Sequence, residues 1–105
     1  MTHAFEFHPE AQAELDADID WYDDREFDLG GRFADAVRAA VDAAVEDPDA
    51  WAVWPGWERE PLVCSKAVTG FPYRVVYFVQ DDSLTIVAVP HSKRRPGYWR
   101  ERVSR

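Results

Sequence analysis

Apolar residues recur along this chain with two different periods, and the switch between them marks out the elements. Ala4 to Phe7 alternates, with Phe5 and Phe7 on one side, as a short half-buried strand does. Pro9 suits the first turn of a helix, where its missing N–H costs nothing. Beyond it Ala11, Leu15, Ile19 and Tyr22 recur at helical spacing, with Glu14, Asp16, Asp18 and Asp20 mostly off the stripe. This first helix is expected to end near Arg25 to Phe27. Asp28-Leu29-Gly30-Gly31 reads as a breaker or a loose helix start. Phe33, Val37, Ala40, Val41 and Ala44 form a second stripe, closed at Asp47-Pro48 because a residue before proline avoids helical geometry. Two helices so closely linked are expected to form an antiparallel hairpin with a sheet beneath it.

The period then shortens to two. Leu62 to Val68 predicts a strand, Thr69-Gly70 a turn, and Phe71 to Val79, rich in Val, Tyr and Phe, the strongest strand in the chain. Gln80-Asp81-Asp82-Ser83 is a polar hairpin turn, and Leu84 to Val89 is apolar enough for a strand covered on both faces. Pro96-Gly97 bends the chain before a short C-terminal helical segment. Between helices and sheet, Trp51 to Pro61 carries Trp51, Trp54 and Trp57 and predicts an ordered loop. Its rings either cap the open end of the core, the reading preferred, or offer Trp54 and Trp57 as a patch for a partner. The expected fold is α+β: an N-terminal strand and a two-helix hairpin packed on a small antiparallel sheet of about four strands.

Composition narrows the class. One domain spanning residues 1–105 is expected, with an apolar fraction of 47% to fill its core. Cys64 is the only cysteine, which excludes an intrachain disulfide and favours a reducing compartment. No apolar run approaches the ~20 residues needed to span a bilayer, and no leader is apparent, so a soluble cytoplasmic protein with no membrane partner is expected. The net charge of −8 is unevenly spread: residues 1–49 hold fifteen acids against Arg25, Arg32 and Arg38, whereas residues 50–105 hold five acids against nine cations. From His91 onward Lys93, Arg94, Arg95, Arg100, Arg102 and Arg105 face Glu101 alone. A locally positive site on a negative body can still attract a polyanion.

The candidate chemistry gathers where the last strand ends. Alternation sends Arg74 to the face it shares with Val76 and Phe78, toward the cations that follow the next strand. Arg74, His91, Arg94 and Tyr98 are the candidate catalytic set for metal-independent RNA cleavage. Arginine forks would hold the phosphate, His91 would exchange protons near neutral pH, and Tyr98 would orient a hydroxyl, donate a proton or stack on a base. Lys66, Lys93, Arg95 and Trp99 are the candidate contacts to RNA or another target. The bland alternatives are a hydrogen-bonding surface histidine, solvated cations, and packing roles for Tyr98 and Trp99. No zinc spacing, Gly-rich phosphate loop or nucleophile elbow is present, and no metal or small-molecule cofactor is expected.

The opening FHPEAQAEL, Trp21-Tyr22, LGGRF at Leu29 to Phe33, Asp47-Pro48, FPYRVVYFV at Phe71 to Val79 and AVPHSKRRPGYWRER at Ala88 to Arg102 together resemble the RelE/ParE superfamily of type II toxins. The resemblance covers nearly the whole chain in the same order. It implies two helices on a small sheet, and a cognate antitoxin that wraps the protein. RelE-like members cut mRNA in the ribosomal A site, and ParE-like members block DNA gyrase. The resemblance places Arg74, His91, Arg94 and Tyr98 at the family's site positions, and Lys66 as the only cation on a strand where relatives carry arginine near Cys64. The function expected first is a ribosome-associated mRNA interferase, a possible endoribonuclease acting on ribosome-bound mRNA. The alternatives are a non-enzymatic gyrase inhibitor, or a decayed toxin that only binds its antitoxin.

Overall fold

A computed structural model describes residues 4–103, so Arg105 of the basic tail lies outside the described residues. The chain runs β1 (Ala4–Phe7), α1 (Pro9–Arg25), α2 (Leu29–Glu46), a 3-10 turn (Pro48–Ala50), β2 (Ala52–Val53), β3 (Val63–Ala67), β4 (Arg74–Gln80), β5 (Ser83–Ala88) and a last 3-10 turn (Arg100–Arg102). The helical hairpin covers one face of the sheet, and the tryptophan loop and C-terminal segment cover the other.

The sheet has five strands in the order β1-β5-β4-β3-β2. The expected α+β fold is present, and the sheet adds two details to the expected antiparallel sheet of about four strands. Two residues of the tryptophan loop, Ala52 and Val53, pair with Ser65 and Cys64 as an extra edge strand. The N-terminal strand is parallel to its neighbour, with Ala4 opposite Ser83 and Phe7 opposite Ile86. Connectivity permits parallel pairing, because the helical hairpin and three strands separate β1 from β5 and no tight turn joins them.

Each helix forms for local reasons. At α1, His8 caps the start by accepting a bond from the Glu10 N–H at 3.2 Å, and Pro9 occupies the first turn. Asp28, in the left-handed region at φ 65°, makes the break between helices. The glycine pair therefore lies inside α2 and not in the turn. Gly30 is needed there because a Cβ would lie 2.4 Å from Asp23 Oδ1 and 2.5 Å from the Ile19 carbonyl oxygen. Its N–H donates to Asp23 at 2.8 Å, which locks the two helices together. Asp81 and Asp82 both take positive φ, 55° and 62°, as a two-residue hairpin with the twist of its strands requires.

Two cores result. Phe33, Val37 and Val41 of α2 pack on Val75, Tyr77, Leu84 and Ile86 beneath the helices. On the opposite face Trp57, Val63, Val76, Phe78, Val87 and Trp99 form a smaller core. Each fully buried aliphatic contributes about 1.5–3 kcal/mol, so the second core is enough to hold the C-terminal segment against the sheet. Trp57 is buried and its indole donates to the carbonyls of Arg59 and Pro61, while Trp54 meets Trp99 edge-on at 5.0 Å. The three loop tryptophans thus cap the core, as preferred from the sequence. Among the described residues, no helix is long and apolar enough to cross a membrane.

Candidate functional site: an arginine cleft beside a braced C-terminal segment

Alternation along β4 places Tyr73, Val75 and Tyr77 toward the helices and Arg74 on the other face with Val76 and Phe78. Past β5 the ladder continues as an isolated bridge between Tyr73 and His91, with Arg74 N–H donating to the Pro90 carbonyl and Ser92 N–H to Pro72. These bonds carry the basic segment to the side of Arg74. A cleft of about 210 Å³ opens there, and Trp54, Arg74, His91, Arg94, Arg95 and Trp99 are among its walls.

The arginines are fixed to different degrees. Arg74 Nε donates to the nearly buried Ser65 hydroxyl at 2.9 Å and a second nitrogen reaches the Ser65 carbonyl at 3.4 Å. The Arg94 guanidinium lies over the Tyr98 ring at 4.0 Å. Arg95 is exposed. His91 stands edge-on to Tyr73 at 5.1 Å, and its Nδ1 accepts the Lys93 N–H at 3.0 Å. That bond leaves the proton of the neutral ring on Nε2, so the free side of the imidazole is a donor.

Tyr98 faces a different set of groups. Its hydroxyl donates to Glu14 of α1 at 3.1 Å, and Arg102 binds the same carboxylate with two nitrogens while also donating to the Val87 carbonyl at 3.0 Å. Glu10 stands 3.6 Å from Arg102. Burial, then the charge of Glu14, pushes the Tyr98 hydroxyl up to about 12. The Arg102 hydrogen bonds hold Glu14 below the usual carboxylate range, and the same bonds raise Arg102. One turn further along α1, burial pushes Asp18 up, an effect that the Arg94 charge opposes.

The structure therefore brings Arg74, His91, Arg94, Arg95 and Trp99 to one cleft and leaves Tyr98, Lys66 and Lys93 outside its walls. Tyr98 is a brace between the C-terminal segment and α1. Lys66 lies 4.6 Å from the Trp51 ring and donates to its neighbour's carbonyl. Lys93 contributes its backbone N–H. Trp99, expected to contact the target, is 0% exposed and packs between Trp54 and Trp57. Sequence reasoning assigned no role to Glu14 and Asp18. The signal was present in the spacing of Glu10, Glu14 and Asp18, each four residues apart and hence one stripe of α1 facing the late cations. Among the described residues, no three His, Cys, Asp or Glu side chains converge as metal ligands.

Comparison with known proteins agrees with this architecture. The family described as the ParE toxin of type II toxin-antitoxin system, parDE, matches residues 5–96. Arg74, His91, Arg94 and Arg95 fall within that match. A chain of the chromosomal ParDE toxin-antitoxin system from P. aeruginosa is similar in structure, with a TM-score of 0.70 over 86% of this chain and 96% of that one. At 16% identity that likeness carries the fold. A search of curated proteins gave no significant match. The family match spans most of the sequence, and the chain belongs to the ParE toxin family of type II toxin-antitoxin systems.

Proposed function

We propose that this toxin acts by binding DNA gyrase, without catalysing a reaction of its own, and that its antitoxin restrains it by covering the same surface. The observation that carries the reading is Tyr98. An RNA-cleaving site needs one group to take the 2′-hydroxyl proton and another to protonate the leaving oxygen. Tyr98 holds its proton up to about pH 12 and directs it at Glu14. His91 has its Nδ1 occupied by the Lys93 N–H, which leaves the neutral ring no free nitrogen lone pair to take a proton. The cleft offers arginine forks and aromatic walls, the residue types that dominate protein–protein contacts. Membership of the ParE family supports the same reading.

The interferase reading keeps one observation in its favour, that Arg74, His91 and Arg94 line one cleft. The two are separated by adding the purified protein to gyrase in a plasmid supercoiling reaction and by mapping mRNA 5′ ends after a short induction. Loss of supercoiling with messages intact is the expected result. New ends within translated frames, absent in Arg94→Ala, together with unimpaired gyrase, would overturn the proposal.

A further inference from the structure

Another cavity, of about 340 Å³, opens on the helix-covered face of the sheet, where the turn at Pro48–Ala50 passes β2, β3 and β4. Trp51, Val53, Leu62, Cys64, Tyr77 and Val79 give it apolar walls. Val53 and Leu62 are two of the four large hydrophobic side chains left exposed among the described residues. Its volume is at the low end of small-ligand sites, which run from about 300 to 1,000 Å³.

The polar groups decide which charge it takes. The Trp51 indole N–H donates to the Ala43 carbonyl at 3.3 Å and the Tyr77 hydroxyl to the Pro48 carbonyl at 2.6 Å, so both aromatic donors are spent within the fold. No Lys, Arg or His belongs to the walls, whereas Asp49 and Glu60 do, both exposed and neither in an ion pair among the described residues. The charge of Asp49 reaches the interior, where burial first and then that charge push the Cys64 thiol up. The last turn of α2, just ahead of Pro48, carries no basic side chain, so nothing there offsets the negative end of the helix dipole. The Trp51 ring already meets one ammonium, that of Lys66, which stands 4.6 Å from its centroid and is not among the walls. An anion therefore finds no donor here beyond a weak thiol, while a cation finds two carboxylates and an aromatic face.

We infer that this cavity binds a small aliphatic amine, with its ammonium group at Asp49 and Glu60 and its hydrocarbon stem against Trp51, Leu62 and Val79. The site is separate from the arginine cleft, whose Trp54 and Trp99 pack on the opposite face of the sheet, and it does not depend on the gyrase reading.

The test is a titration of the isotope-labelled protein with hexylamine at neutral pH, followed by amide NMR. The amides of Val53, Leu62, Cys64 and Val79 are expected to shift saturably, with half-saturation on the order of 1 mM. Hexanol, which shares the stem without the charge, is expected to bind about tenfold more weakly, and hexanoate not to bind. Asp49→Asn and Glu60→Gln should each cost about threefold in affinity, the scale of an exposed charge pair. Glu6→Gln removes an exposed acid of β1, at the other edge of the sheet, and should change nothing. Cys64 is the only cysteine of the chain, so its reaction with a neutral aromatic disulfide gives a second readout. Hexylamine at about ten times its half-saturation should slow that reaction about tenfold, in proportion to the sites left empty. Hexanol or hexanoate binding as tightly as hexylamine, shifts centred on the acidic face of α1, an unchanged thiol rate, or equal effects of Asp49→Asn and Glu6→Gln would each overturn the inference. Tighter binding of acetyl-lysine amide than of hexylamine would overturn it too, in favour of a lysine side chain from another protein.

Discussion

Replacing Glu14 by glutamine keeps the shape of the side chain and removes the charge on which the C-terminal segment is anchored. In the wild type Arg102 is 10% exposed and Glu14 31% exposed, and the carboxylate also receives the Tyr98 hydroxyl. Stranding one member of a fully buried pair costs about 3–5 kcal/mol. Partial exposure of Glu14, and the persistence of Glu10 and the Val87 carbonyl as partners of Arg102, bring the expected loss to about 2 kcal/mol. For a domain of this size that is a fall in Tm of about 10 °C. The pH dependence follows from linkage. The folded-state pKa of Glu14 is lowered, so its stabilising contribution is fully present above the unfolded value, near 4.5, and is lost as pH falls through the folded value. Thermal melts of wild type and Glu14→Gln should therefore be farthest apart near neutrality and converge below pH 4.5. A gap that is under about 0.5 kcal/mol at pH 7, or that fails to narrow on acidification, would refute the idea that this ion pair braces the segment.

Asp18→Asn should raise Tm at neutral pH, because burial raises the folded pKa of Asp18 and its charged form opposes folding. That gain should vanish as the pH falls toward 3.8, where the wild-type carboxyl takes up its own proton in either state. Trp99→Ala removes a fully buried indole from the smaller core and should cost about 4 kcal/mol, seen as a lowered denaturation midpoint in urea. Gly30→Ala improves intrinsic helix propensity yet should destabilise by about 2 kcal/mol, because its methyl would collide with Asp23 and the Ile19 carbonyl. A chemical denaturation curve shifted the other way would show that the helices move apart freely.

Periodicity made the helices and the inner strands legible. The stripes at Ala11 to Tyr22 and Phe33 to Ala44, and the dense apolar run at Leu84 to Val89, carry enough burial to impose their own geometry. What escaped was set by distant partners. Ala52 and Val53 have no strand pattern of their own and become a strand because β3 offers an open edge. Gly30 reads as a turn until Asp23 and Ile19 are seen pressed against it. At the site, residue type identified Arg74, His91, Arg94 and Arg95 as neighbours. It could not separate Tyr98 from them, because the carboxylate that claims its hydroxyl lies 84 positions earlier in the chain. The burial of Trp99 was hidden for a related reason: its position in a basic run suggests a surface, while Trp54 and Trp57 enclose it from a remote loop.

Ala4 to Phe7 leave the ribosome long before their partners in the sheet, Ser83 to Ile86. The same holds for Glu14, whose partners Tyr98 and Arg102 arrive later still. A nascent chain halted before Ser83 has an unpaired first strand, no second core and only Arg74 of the cleft's arginines. Such long-range pairing slows folding, because the loop it closes must be ordered before any contact rewards it. A message cut short before those codons thus yields a fragment without the arginine cleft, and translation has to pass Arg95 before that surface exists.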